Sequence, residues 1–216
     1  TCPGTQTVST DIGCNYTLTD FTSLASGTDN CSAIASLTYT QSPIAGTLLP
    51  LGTNSVTITV QDASGNSAMC SFDVVVIDQV DPVFTTCPST QTVYMDTACQ
   101  ATIGDYISFA VASDNCSLAG SITISQSPAS GTTITTPTIV TLTATDLVGN
   151  SVNCLLNVVP SDTTNPIVLC PADQTVAIDA SCQYAVPDLT SLVTGTDNCS
   201  SLGNMTISQN PIATSI

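Results

Sequence analysis

Hydrophobic and polar residues alternate in short runs along most of the chain. Val56, Ile58 and Val60 are separated by Thr57 and Thr59, and after the Ser64-Gly65-Asn66 turn Cys70, Phe72, Val74 and Val76 share one parity. The same period returns at Val140, Leu142 and Ala144, and again at Cys154, Leu156 and Val158. Cys14, Tyr16 and Leu18 alternate in this way, as do Cys99, Ala101, Ile103 and Cys182, Tyr184, Val186, with Asn15, Gln100 and Gln183 facing outward. Successive side chains of a strand point to opposite faces, so a period of two marks half-buried β-strands. Gly, Pro, Asn and Asp punctuate the runs, which predicts β-sandwiches of about seven strands each. One helical turn is expected over 21–25, capped by Asp20.

The cysteines reveal how these runs are organised. They stand at 2, 14, 31 and 70, then 87, 99, 116 and 154, then 170, 182 and 199, a repeat of about 84 residues. Asp29-Asn30-Cys31-Ser32 recurs at 114–117 and 197–200, Gln41-Ser42-Pro43 at 126–128 and loosely at 209–211, and Asp62-Ala63-Ser64-Gly65-Asn66 as 146–150. The joints Asp78-Gln79-Val80-Asp81-Pro82 and Asp162-Thr163-Thr164-Asn165-Pro166 place the expected domains at 1–81, 82–164 and a shortened 165–216. The chain opens mid-motif at Thr1-Cys2-Pro3 and reads as an excerpt of something longer, so the odd cysteine count follows from a third unit that stops before its fourth cysteine.

Four cysteines per unit allow three pairings. Cys14 and Cys70 sit on core-facing parity in strands expected on opposite sheets, which favours 14–70 with 2–31, hence Cys99–Cys154 with Cys87–Cys116, and Cys170–Cys199; the other pairings stay open. Zinc is disfavoured, since there is no C-x-x-C pair and no His. A sandwich of this size has a thin core, and disulfides are its expected supplement outside the cytosol.

Composition narrows the function. The 216 residues contain no Lys, Arg or His against sixteen acidic groups, all Asp, for a net charge of -16. Binding to nucleic acid or to anionic membrane surfaces needs cationic side chains and is excluded. No apolar run approaches the length of a membrane-spanning helix. Hydrophobic residues make up 42%, which argues against disorder. Catalysis has no His or Lys to activate a nucleophile, and no enzyme is expected. The missing Lys and Arg also remove every trypsin-type cleavage site.

The Cys-Pro starts, the central Asp-Asn-Cys-Ser, the Gln-Ser-Pro followed by Gly46 or Gly131, and the Asp-x-x-Gly-Asn before the last cysteine together resemble HYR (hyalin repeat) domains. The extra cysteine is similar to that of HYR-like repeats in very long secreted surface proteins of Bacteroidetes bacteria, including gliding-type adhesins. The resemblance implies immunoglobulin-like domains, an extracellular bacterial cell surface and a role in adhesion. Thr214 departs from it by standing where the Gly is expected.

The Asp residues are the leading candidate site. In such a sandwich the joint Asp78 and Asp81 should meet the next unit's loops carrying Asp114 and Asp146, an oxygen-rich cluster suited to Ca²⁺. The competing reading is that each Asp caps a turn through backbone N–H groups. Sequons at Asn15, Asn30, Asn115, Asn198 and Asn204 carry little weight in a bacterial protein. Expected partners are neighbouring repeats of the same chain, other copies of the filament, and surface glycans. The leading expectation is a structural and adhesive segment of a long extracellular filament. The alternatives are a ligand-binding adhesin module, or a passive spacer in a secreted enzyme.

Overall fold

The computed structural model describes residues 1–214, and the chain is all-β with immunoglobulin-like sheets and four disulfides. Two compact units interleave along it. The first comprises Thr1–Cys87, Ile107–Ser125 and Leu142–Cys154; the second comprises Pro88–Tyr106, Gln126–Thr141 and Leu155–Ile216.

In the first unit, β1 (Gln6–Ser9), β6 (Ser67–Ile77), β5 (Gly52–Gln61) and β3 (Thr38–Ser42) form one sheet in the order β1-β6-β5-β3. β1 runs parallel to β6 and the other pairs are antiparallel. β2 (Asn15–Thr17) pairs with β4 (Leu48–Pro50). The inward parity of β5 and β6 buries Val56, Ile58, Phe72, Val74 and Val76, which meet Leu18, Phe21 and Leu49 in one cluster. Phe21 stands edge-on to Phe72 at 5.5 Å, an arrangement favoured by the ring quadrupoles. A single 3-10 turn at Thr22–Leu24 follows Asp20, whose Oδ1 accepts the Thr22 N–H at 2.9 Å. β7 (Val83–Thr86) pairs with β10 (Val111–Ser113).

In the second unit, β9 (Ala101–Thr102) pairs with β12 (Thr133–Ile134), and β15 (Ile167–Leu169) pairs with β16 (Thr194–Thr196). β8 (Gln91–Tyr94) lies parallel to the end of β14 (Ser151–Ser161), as β1 does to β6. β14, β13 (Thr138–Thr145) and β11 (Thr123–Ser127) pass from one unit into the other, in the strand order β11-β13-β14-β8. Val140, Leu142, Ala144, Cys154, Leu156 and Val158 are buried on the parity read from the sequence.

Three expectations fail in instructive ways. Cys182, Tyr184 and Val186 alternate, yet no strand forms there, and none of the three is fully buried. Cys14 does not lie in a core-facing strand: it ends a turn at φ 59°, and Cys99 and Cys182 take φ 59° and 60° at the equivalent places. The pairing is accordingly different. Cys2 bonds Cys70 and Cys87 bonds Cys154, while Cys14 bonds Cys116 and Cys99 bonds Cys199. The pairs 14–70, 2–31, 99–154, 87–116 and 170–199 are therefore corrected: the left-handed turn carries the second cysteine away from its own core and toward an Asn-Cys-Ser loop about 100 residues onward. Cys31, Cys170 and Cys182 are exposed and unbonded.

The recurring Gln fixes local loops. Gln41 Oε1 accepts the Phe21 N–H at 2.7 Å and its Nε2 donates to Thr19 O at 2.9 Å. Gln126 and Gln209 make the same bridge, to Tyr106 and Gly104 and to Leu189 and Pro187. Gly46 and Gly131 sit at φ 91° and 89°, and Thr214 is held at φ 69° where Gly is expected. A side chain in that left-handed region is strained.

Candidate functional site

The acidic site is assembled within the first compact unit by the end of β6 and two loops. Asp78 follows β6, Asp114 opens the Asn115-Cys116-Ser117 loop, and Asp146 opens the turn between β13 and β14. Each offers a carboxylate oxygen, and these oxygens lie within 4.8 Å of one another. Asp81, the fourth residue expected here, is exposed and outside the group.

One oxygen of each carboxylate has a local task. Asp78 Oδ1 accepts the Val80 N–H, and Asp114 Oδ1 accepts those of Cys116 and Ser117 at 3.0 and 2.7 Å. Asp146 Oδ1 accepts N–H groups from Val148, Gly149 and Asn150, and its Oδ2 accepts Asn150 Nδ2 at 2.8 Å. Burial works against the Asp146 anion, but the Asn150 amide and these backbone donors outweigh it and hold its carboxyl below the ordinary range. Turn capping and ligation thus coexist. Asp78 and Asp114 each spend one oxygen on a turn and keep Oδ2 buried without a hydrogen-bond partner.

Unpartnered buried carboxylate oxygens are costly. Asp78 is 7% exposed and Asp146 6%, and no Lys, Arg or His exists in the chain to offset them. The donor set is all oxygen, which suits a hard cation such as Ca²⁺ and excludes a thiolate-type metal site.

Two Asn residues add contacts that the sequence reading missed. Asn150 Nδ2 also reaches Val80 O at 3.3 Å and Asp78 O at 3.5 Å. Asn115 Nδ2 donates to Asp11 O at 3.0 Å, beside the Cys14–Cys116 disulfide. Their recurrence at fixed offsets in Asp-Asn-Cys-Ser and Gly-Asn is the signal the sequence carries for these contacts.

Residues 1–76 match the HYR domain family. They form an HYR-like domain. The chain is 34% identical over 153 residues to hyalin of Lytechinus variegatus, an alignment covering 68% of this chain and 28% of hyalin. Among solved structures, the protocadherin gammaB7 EC3-6 cis-dimer gives a TM-score of 0.37 at 15% identity, over 90% of this chain and 54% of that one. The Ig1-2 module of the Drosophila receptor protein tyrosine phosphatase DLAR gives 0.25 at 9% identity, over 55% and 67%. No helix among the described residues is long and apolar enough to cross a membrane.

Proposed function

We propose that this chain is a structural and adhesive segment of a long extracellular filament on a bacterial cell surface, built from tandem immunoglobulin-like units at 1–81, 82–164 and 165–216. The observation that carries the reading is the recurring staple. Cys14–Cys116 and Cys99–Cys199 span 102 and 100 residues, farther than the sequence period, so each bond ties one period of the chain to the next. Persistent disulfides belong to oxidising, extracytosolic compartments. The HYR-like domain and the likeness to hyalin support an adhesion-type extracellular role.

In this reading Ca²⁺ is held by Asp78, Asp114 and Asp146, where it satisfies the two unpartnered oxygens and stiffens the joint. Its neighbours are further units of the same chain, other filaments and surface glycans. The alternative readings are a glycan- or protein-binding adhesin module, or a passive spacer in a secreted enzyme.

Antibody raised against the chain tests the location and form together. On intact, unpermeabilised cells viewed by electron microscopy it should decorate extended threads. Labelling that appears only after lysis would sink the proposal.

A further inference from the structure

Three links tie together the segments that carry the acidic trio, and one of them is covalent. Asp78 follows β6, whereas Asp114 and Asp146 stand on loops that come later in the chain. The first link joins those two loops: Ser117 Oγ accepts the Leu147 N–H at 3.2 Å. The second joins the Asp146 turn to the segment after Asp78, because Asn150 Nδ2 donates to Asp146 Oδ2 at 2.8 Å and to Val80 O at 3.3 Å.

The third link is the disulfide. Cys116, two residues past Asp114, bonds Cys14 with Cα atoms 4.9 Å apart, and Asn115 Nδ2 donates to Asp11 O at 3.0 Å. The turn that holds Asp11 and Cys14 is itself fastened beside Asp78. Ser9 pairs with Ile77, and the Thr10 N–H donates to Ile77 O at 2.9 Å. A short path therefore runs from Asp78 through Ile77, Thr10, the Asp11 turn and the Cys14–Cys116 bond to Asp114.

Asp114 moves with its cysteine. Its Oδ1 accepts the N–H groups of Cys116 and Ser117 at 3.0 and 2.7 Å, so the carboxylate and the sulfur belong to one closed turn. Its Oδ2 and that of Asp78 are buried without a partner, within a group whose oxygens lie within 4.8 Å of one another. Like charges this close repel, and the chain has no cationic side chain to offset them. Without a cation, repulsion drives the Asp114 loop away from Asp78. The disulfide resists that retreat, and a cation removes its cause. Both act on the same approach of two carboxylates and in the same direction.

We infer that the Cys14–Cys116 disulfide regulates the cation site. Closed, it presents Asp114 to Ca²⁺ already in place; opened, it lets the loop retreat, and binding must first bring it back. Coupling between two equilibria is reciprocal, so Ca²⁺ protects this disulfide from reduction by the factor with which the disulfide tightens Ca²⁺. The coupling presupposes the calcium reading of the trio and adds redox control to it. Reduction by a dithiol such as dithiothreitol is thiol–disulfide exchange. One dithiothreitol thiolate attacks a sulfur of the bond and releases one cysteine; its second thiolate closes the reagent's ring and releases the other. The reagent is oxidised to its cyclic disulfide, and two electrons and two protons end on Cys14 and Cys116.

The test uses the full chain carrying Cys31→Ser, Cys170→Ser and Cys182→Ser, which removes the exposed thiols that would exchange with the disulfides. It is titrated with calcium chloride in a calorimeter. Adding Cys14→Ser and Cys116→Ser should raise the Kd for Ca²⁺ about 5- to 150-fold, the usual range for coupled sites. Adding Cys99→Ser and Cys199→Ser instead opens a disulfide that joins neither loop of the trio, and should leave Kd unchanged. The reciprocal arm keeps both disulfides and so needs no variant at Cys14 or Cys116. In dithiothreitol redox buffers, saturating calcium chloride should raise by the same factor the ratio of reduced to oxidised reagent that half-opens Cys14–Cys116. Alkylation, Asp-specific proteolysis and mass spectrometry read that ratio, with Cys99–Cys199 unmoved as the internal control. Asp78→Asn should erase the protection. If the variant without Cys14 and Cys116 fails to fold, the reciprocal arm decides. No calcium binding by the parent chain overturns the calcium reading and the coupling together. Calcium binding with an equal Kd in the opened variant, or with no protection of Cys14–Cys116, overturns the coupling alone.

Discussion

The chain presents the same pole in two conditions. Asp29, Asn30, Cys31 and Asp62 form one, and Asp114, Asn115, Cys116 and Asp146 form the other, with matching loops and turns. At the first pole Asp29, Asn30 and Cys31 are exposed; at the second the equivalent residues are half-buried, and Asp146 is buried. The loop bonds hardly differ, 2.9 and 2.6 Å at Asp29 against 3.0 and 2.7 Å at Asp114. What a neighbour adds is therefore not the loop. It adds a disulfide, a hydrogen bond donated by the Asn115 amide, a third carboxylate from Asp78, and burial of charge. The turn chemistry is local to each unit; among the described residues, the candidate metal chemistry appears where segments meet.

The largest effect should come from breaking the staple. Cys14→Ser with Cys116→Ser should lower the unfolding free energy by roughly 2–4 kcal/mol, as loss of a long-loop disulfide does. Cys31→Ser, at the equivalent position of the exposed pole, should be close to neutral. Urea midpoints of the two proteins provide the check. Equal losses would mean that the bond in the covered pole contributes nothing beyond the residue itself.

Next in size is calcium. With [Ca²⁺] at 100 times its dissociation constant, binding to the folded state alone adds about 2.7 kcal/mol. Asp78→Asn should abolish that gain, and in chelator it should leave the melting temperature unchanged or raised, because one of three crowded like charges is gone. The same substitution thus has opposite signs in the two buffers. Asp62→Asn at the exposed pole should not alter the calcium response. A melting temperature indifferent to calcium in the parent protein removes the metal reading.

How far the sequence announced all this differs between strands and joints. Strand parity was legible because burial on one face forces a period of two: Val56, Ile58, Phe72, Val74, Val76, Leu142 and Leu156 were all readable as core. The single 3-10 turn was readable from Asp20, whose carboxylate accepts the Thr22 N–H, although Phe21 and not Asp20 stands at its N-cap. The clustering of Asp78, Asp114 and Asp146 followed from placing loops at the ends of strands, whereas the exclusion of Asp81 depends on side-chain direction, which spacing does not encode. The disulfide pairing is not legible in the sequence, for a physical reason. Parity assigned Cys14 to a strand interior, but its backbone is left-handed, a rare state for a residue other than Gly. Nothing in an alternating pattern marks that reversal; only the preceding Asp, which closes the turn, hints at it.

A smaller pair of substitutions sharpens the claim that the two turns are intrinsically alike. Gly65 and Gly149 hold φ 90° and 103° in the Asp-x-x-Gly-Asn turns of the exposed and covered poles, with nothing near an added Cβ. The penalty for Ala there is purely conformational. Gly65→Ala and Gly149→Ala should each cost about 1–2 kcal/mol, equal within error in urea denaturation. A much larger loss at Gly149 would mean that the neighbour strains or selects this turn, and the two poles would no longer share one local design.

The smallest effect is the pH dependence of the exposed pole, where no metal site intervenes. Backbone N–H groups of Cys31 and then Ser32 hold the Asp29 carboxyl below its ordinary value. The Asn66 side-chain amide does most of the same for Asp62, with backbone N–H groups of Asn66 and Ser64 assisting against slight burial and the Asp29 charge. Their folded pKa values are below the unfolded value of about 3.9, so the folded state binds these protons less readily than the unfolded one. The stability they contribute is fully present above pH ~4 and is lost as pH falls through the lowered folded values. Lowering pH also relieves repulsion across a chain of net charge -16, which acts in the opposite direction. The informative quantity is therefore the difference between parent and Asp62→Asn, which keeps the turn geometry but cannot titrate. Between pH 6 and 3 the parent should lose more stability than the variant, because only the parent must protonate a hydrogen-bonded carboxylate. Parallel urea midpoints across that range would show that these N–H contacts do not favour the anion, and that the exposed Asp turns are held by backbone geometry alone.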